Sequence, residues 1–469
     1  MSNDRHHRHI NSDHISNGHI STDHINRDHI NRDEPPSLLN RRRFLQALIA
    51  GGATAAGAGV IYSGRERIIT PDTPEIDQPS TQVGVVTRAN TSPDPAGRLL
   101  AEAVANRVLV LIEFEGGNDG LSTVIPAGKG LYYDLRPNIA IPEEEVLALD
   151  SEVGLHPALA RLHRRGIAVV EGIGPVEGNQ SHFEMVQRWD RGDVDGTSNL
   201  RSGFLARLAD TVDNQSPLVG LSVGGTTPRF ANSTASTLAL DNTDALWYVG
   251  PVEEGQTGLR TYQQGLLTFA LNEESTMGMV GSSWAQLLQL GATVNEQTKR
   301  ENDSDNPMFT EGGNLGRQLS VAADLIAADV GVRIVHARIG GFDTHENHLN
   351  RHGELMAQVD AAIDGFLQQI ELDGEADRVL VATTSEFGRR AAENNQGLDH
   401  GLASVVMVAG ASVVPGRYGV ASSIDGLDEN GNLKTEVPFD SYLATLAERW
   451  LGVEGASVLP GNPELLDLL

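Results

Sequence analysis

The chain has 469 residues, a formal charge of −28, and only 5% aromatic residues against 39% hydrophobic ones. So acidic a balance argues against a nucleic-acid partner, because phosphate binding needs a basic face. The absence of cysteine excludes disulfides, a thiolate nucleophile and Cys-ligated zinc.

Residues 1–40 form a leader in which His9, His14, His19, His24 and His29 recur every five residues. That step is neither the helical nor the strand period, so the leader has no core-forming face and is expected to be disordered. Residues 41–62 begin Arg41, Arg42, Arg43, Phe44, Leu45 and continue as a Gly/Ala-rich apolar run to Tyr62. Paired arginines ahead of Phe-Leu match the twin-arginine export pattern, and the run is shorter than the roughly 20 residues that span a bilayer. This predicts passage through the twin-arginine translocase to the periplasm or the extracellular space, with membrane attachment only through an uncleaved signal. Residues 63–98 are Pro- and Thr-rich and read as a linker, ahead of a mature domain over 99–469.

Six apolar runs of strand length follow, at 108–114, 166–174, 218–225, 332–339, 378–384 and 403–410. Their continuous rather than alternating apolar character predicts strands buried on both faces. Helical patterns lie between them: Leu355, Val359, Ile363, Phe366 and Ile370 fall at steps of three and four, and 314–331 and 439–452 read similarly. The alternation predicts an α/β fold, a doubly wound and largely parallel sheet flanked by helices. Residues 227–312 break the rhythm and are expected to form an insertion or cap.

Open α/β sheets bind ligands outside the carboxyl ends of their strands, so the polar residues just after each run are the candidates. After the first run, EGGNDG presents Asp119 at a turn that its glycines permit. After the second, Ser181 in NQSHF either caps a helix together with Glu184 or stands as a hydroxyl nucleophile at a helix start. His182 beside it is a candidate to orient a substrate or act as an acid. In GGFDTHENHLNRH, Asp343 and His345 lie on the strand exit, while His348 and His352 share a face if a helix has begun. A carboxylate with imidazoles in one short loop suits a borderline metal such as zinc; His352 is expected on the helix surface. In SEFGRR, Glu386 follows the strand directly and Arg389 is a candidate for an anionic substrate. Asp399 and His400 precede the last of the six runs.

A twin-arginine signal followed by GGNDGL, NQSHF, GGFDTH, SEFGR and DHG resembles an uncharacterised bacterial family of exported proteins, a domain of unknown function. That family looks like a remote branch of the alkaline phosphatase/sulfatase superfamily. The resemblance implies an alkaline phosphatase-like sheet carrying divalent metal ions and a nucleophile at a helix start. Carried over, Asp343, His345 and His400 form a zinc-like site, with His348 competing for the role of His345 and Asp399 beside His400. Asp119 and Glu386 contribute to a second site, and Ser181 takes the nucleophile position. Glu386 stands where the superfamily has Asp, and Phe387 where it has a histidine ligand, so the second site would be oxygen-rich and suit magnesium or calcium. The implied activity is metal-dependent hydrolysis of phosphate or sulfate esters, on an anionic small molecule or polymer. The alternative is a non-catalytic binding or scaffold protein that kept the fold with a degenerate site.

Overall fold

The computed structural model describes residues 104–212, 216, 218–240 and 311–469. The chain divides into two units, Met1–Ala53 and Thr54–Leu469, and the described residues all belong to the second. The expected leader, export signal and linker and residues 241–310 of the expected insertion lie outside the described residues.

The strands are β1 (Val108–Glu115), β2 (Val124–Ile125), β3 (Leu147–Ala148), β4 (Gly154–Leu155), β5 (Ala168–Gly174) and β6 (Gly220–Val223), then β7 (Thr237–Leu240), β8 (Ile334–Gly340), β9 (Val379–Ser385), β10 (Ser404–Ala409), β11 (Gly416–Gly419) and β12 (Val437–Pro438). Among the described residues the main sheet has nine strands in the order β11-β5-β10-β9-β1-β8-β6-β7, with β12 also paired to β5. β10 runs antiparallel to both β5 and β9, and the other pairings in this sheet are parallel. Each of the six apolar runs supplies one of its strands. β7 also belongs to the sheet, so residues 237–240, expected in the insertion, are part of the α/β domain instead.

β1 shows why its sequence is apolar at every step. Successive side chains point to opposite faces of a sheet, and here both faces are covered. Val108, Val110, Ile112 and Phe114 enter the core shared with helices Gly313–Ala327 and His348–Leu372. Leu109 and Leu111 enter the other core, with helices Phe204–Val212 and Phe439–Thr445. The predicted stripe Val359, Ile363, Phe366 and Ile370 is buried in the first core, with Leu355 at its margin.

The topology gathers the chemistry at one edge. Glu115 pairs with Gly340 and Phe114 with Ser385, so β1, β8 and β9 end side by side. Ser404, which opens the reversed β10, pairs with Ile173 near the end of β5. Four outgoing loops and one incoming loop therefore meet at the carboxyl edge.

Candidate metal centre

The loop after β1 begins with Gly116 and Gly117, at φ +112° and +85°. A Cβ on Gly116 would lie 2.4 Å from the Asp343 nitrogen, and one on Gly117 would lie 2.4 Å from the Phe387 ring. The glycine pair thus lets the loops after β1, β8 and β9 close on one another. Arg389, fully buried, ties them together. Its Nε donates to the Gly117 carbonyl at 3.0 Å and its Nη1 to the Leu398 carbonyl at 2.9 Å. Its Nη2 reaches the carbonyls of Gly116 and Phe342 and, at 2.6 Å, Asp343 Oδ1. The expectation that Arg389 binds substrate is corrected here: its donors are directed at protein acceptors.

Around Asp343 Oδ1 three imidazoles converge. His345 Nε2 lies 3.0 Å away, His400 Nε2 3.2 Å and His182 Nε2 3.8 Å. His400 Nε2 is also 3.1 Å from His345 Nε2 and 3.2 Å from His182 Nε2. The ligand atoms of His182, Asp343 and His400 all lie within 4.8 Å of one another. Tetrahedral ligands at zinc–nitrogen distances are about 3.3 Å apart, so these separations suit donors sharing one ion.

The outward nitrogens decide which way the lone pairs point. His400 Nδ1 is 2.8 Å from the Gln180 carbonyl, which can only accept, so His400 carries a proton there. Neutral His400 then turns a bare Nε2 lone pair inward. His182 Nδ1 is 2.7 Å from Glu386 Oε1, and the ionised carboxylate imposes the same tautomer. His345 Nδ1 faces Asp399 at 3.6 Å. Inward lone pairs facing a carboxylate oxygen repel unless a cation lies among them, and outer carboxylates and carbonyls orient metal-bound histidines in this way. The donor set therefore fits a divalent metal. Burial works against the Asp343 charge, but Arg389, with His345 and His400, holds its pKa below the ordinary value. Burial, together with the Arg389 charge, lowers His400 despite the Gln180 carbonyl, which favours the neutral, ligating form. Burial raises Glu386 even though His182 and the Gly116 amide stabilise its charge.

Of the sequence candidates, Asp343, His345 and His400 thus come together, and His182, expected to orient or protonate a substrate, joins them. Glu386 and Asp399 stand behind the histidines. Ser181 is the N-cap of helix His182–Arg191 but makes no side-chain cap bond, and Glu184 is engaged with Asn179 and Arg188, so the capping box does not form. Phe387 is buried, with its ring centroid 4.9 Å from that of His182 and 4.8 Å from that of His400. It forms an apolar wall of the cluster.

Two metal candidates are turned elsewhere. Asp119 is buried with Arg136, whose Nη1 and Nη2 reach its Oδ2 and Oδ1 at 2.6 and 2.9 Å. His348 Nε2 lies 3.2 Å from Asp119 Oδ2, and its Nδ1 lies 2.7 Å from Thr344 Oγ1. His348 therefore does not compete with His345. His352, expected on the surface, is buried against Asn118 Oδ1 at 3.1 Å. The Gln180 carbonyl escaped sequence reasoning, since a backbone acceptor at a positive-φ residue leaves no side-chain signal.

A family model described as a protein of unknown function (DUF1501) matches residues 166–432, a span that contains the whole histidine cluster and begins after Asp119. No curated protein sequence matches the chain. Solved structures similar to it include the alkaline phosphatase from the Antarctic bacterium TAB5, at 11% identity, covering 65% of this chain and 90% of that one, with a TM-score of 0.29. The PsFucS1 sulfatase from Pseudoalteromonas sp. is 10% identical, covering 77% of this chain and 72% of that one, with a TM-score of 0.34.

Proposed function

This chain belongs to the DUF1501 family of proteins of unknown function, and from its site we propose a metal-dependent hydrolase acting on phosphate or sulfate esters. The observation that carries the reading is the convergence of His182, His345 and His400 on Asp343 Oδ1, with the outward nitrogens of His182 and His400 turned to the Glu386 carboxyl and the Gln180 carbonyl. A divalent ion bound there would supply Lewis-acid polarisation of the ester. The chain's own residues do the rest. Glu386 and the Gln180 carbonyl fix the orientations of His182 and His400, Asp399 lies 3.6 Å from His345, and Arg389 anchors Asp343. Ser181, at the start of helix His182–Arg191 and free of capping duty, is the nucleophile of this reading. The positive end of that helix favours the approaching anion.

The test is turnover of aryl phosphate and aryl sulfate esters by the purified chain before and after chelation. Activity on one class should vanish with chelator and return with a divalent ion, and Ser181→Ala should lower kcat by about 100-fold or more. Turnover indifferent to chelation would remove the metal from the mechanism. A metal-loaded chain inert on both ester classes would favour the second reading, a non-catalytic binding or scaffold protein. The apolar Phe387 against His182 and His400 supports that alternative.

Export through the twin-arginine translocase belongs to the same reading, supported by Arg41 and Arg42 ahead of Phe44 and Leu45. With Arg41→Lys and Arg42→Lys the protein should remain in the cytoplasm; normal secretion of that variant would exclude the route.

A further inference from the structure

Beside the histidine cluster lies a cleft of about 430 Å³, walled on one side by helix His182–Arg191 and on the other by Arg201, Gly203 and Pro228. His182, Phe183, Asp190 and Arg191 line it from the helix, within a half-circle of its circumference. His182 opens the helix and Arg191 closes it, so the two lie about 13 Å apart along the axis at 1.5 Å per residue. The cleft therefore leads from the cluster to the far end of the helix.

Its charge is opposite to that of the chain as a whole. Neither the Arg191 nor the Arg201 side chain makes a hydrogen bond or ion pair among the described residues, although most arginines here are paired. Asp190 is the acidic side chain among the described lining residues, and its Oδ1 accepts from Arg229 Nε at 3.1 Å. Burial, with the Glu113 charge, raises Asp190 to about 6 in spite of Arg229, so it is still largely ionised at neutral pH, where the paired Arg229 guanidinium offsets its charge. At the rim, the Phe183 ring is 91% exposed, a flat apolar face beside two unpaired cations.

We propose that this cleft is a subsite for an extended polyanionic ester, in which Arg191 and Arg201 bind a second acidic group while the reacting ester lies at the histidine cluster. Phe183 packs against the body of the ligand between the two anions. The separation along the helix requires a ligand longer than a single small ring, such as an oligomer with repeated sulfate or phosphate groups. The assignment rests on the hydrolase reading for what happens at the cluster, but binding in the cleft is measured separately from turnover.

The probe is a short dextran sulfate oligomer, titrated calorimetrically into the full chain against inorganic sulfate. The oligomer should bind more tightly than sulfate. The double variant Arg191→Gln/Arg201→Gln should weaken it about tenfold or more, the scale expected on losing two charge-assisted contacts. Metal content of that variant should be unchanged, since neither arginine touches the ligand atoms, and Arg191→Lys/Arg201→Lys should retain part of the affinity. Equal oligomer affinity in wild type and the Gln variant, or no preference for oligomer over sulfate, would overturn the subsite. Arginine-dependent oligomer binding by a chain that holds no metal would support the subsite and defeat the hydrolase reading. Metal-dependent turnover of aryl esters with no oligomer binding would do the reverse.

Discussion

His400→Ala should reduce the bound divalent metal to background after dialysis, with affinity lowered by on the order of 100-fold or more. Loss of an outer partner alone costs about 10–100-fold, and His400 is closer in than that. Its Nε2 lies between 3.1 and 3.2 Å from His345, His182 and Asp343, so it is the donor that all the others share. Without it, His182 and His345 have only the Asp343 oxygen in common. The apo protein should be little affected, because the ring is partly exposed and gives up one hydrogen bond, to Gln180. Urea unfolding in chelator should therefore shift by no more than about 1 kcal/mol. Elemental analysis checks the first statement and urea midpoints the second. Stoichiometric metal in the variant would remove His400 from the site.

Asp119→Asn should do the opposite, costing about 3–5 kcal/mol of stability while leaving metal content unchanged. Asp119 and Arg136 are both buried, and the variant leaves the guanidinium without its counter-charge. Burial alone would raise the Asp119 pKa, but the Arg136 charge and the hydrogen bonds from His348 and Arg136 hold it well below the ordinary 3.8. A depressed native pKa means that the stabilisation is complete above the unfolded value near 3.8 and is lost as pH falls through the native value. The wild-type advantage over the variant should accordingly be full at neutral pH and shrink only in strong acid. A variant that loses its metal while keeping wild-type stability would return Asp119 to the ligand set.

The central strands were legible because burial on both faces makes them apolar at every position, as in β1. The two-residue strands β2, β3, β4 and β12 are too short to show any period, and β7 lies in a stretch whose polar surroundings hide it. At the site, the residue types on the strand exits were legible and their partners were not. Asp119 and Asp343 look alike in sequence, each close behind a glycine pair. What separates them is Arg136, 17 residues along the chain from Asp119, which takes that carboxylate out of reach of an ion. His345 and His348 are separated in the same way, by Thr344 and Asp119 closing around His348. His182 differs again: its residue type was visible, but its role depends on Glu386, 204 positions away, which fixes the inward nitrogen. Pairings over such distances follow from sheet order, and a single sequence does not display sheet order.

The reversal of β10 has a consequence for assembly. His182 follows β5, Asp343 and His345 follow β8, and His400 comes in ahead of β10, so the ligand atoms of His182 and His400 meet across 218 residues of chain. None of the three loops holds a full donor set, so a divalent ion could not recruit a local peptide here as zinc does in a zinc finger. A divalent ion bound there could act only as a late cross-link, gripping a sheet whose long-range pairings have already formed. Such pairings form slowly, and a bound ion stabilises only the state that presents all its ligands. Chelating such an ion would then remove a clasp among the loops that follow β5 and β8 and precede β10.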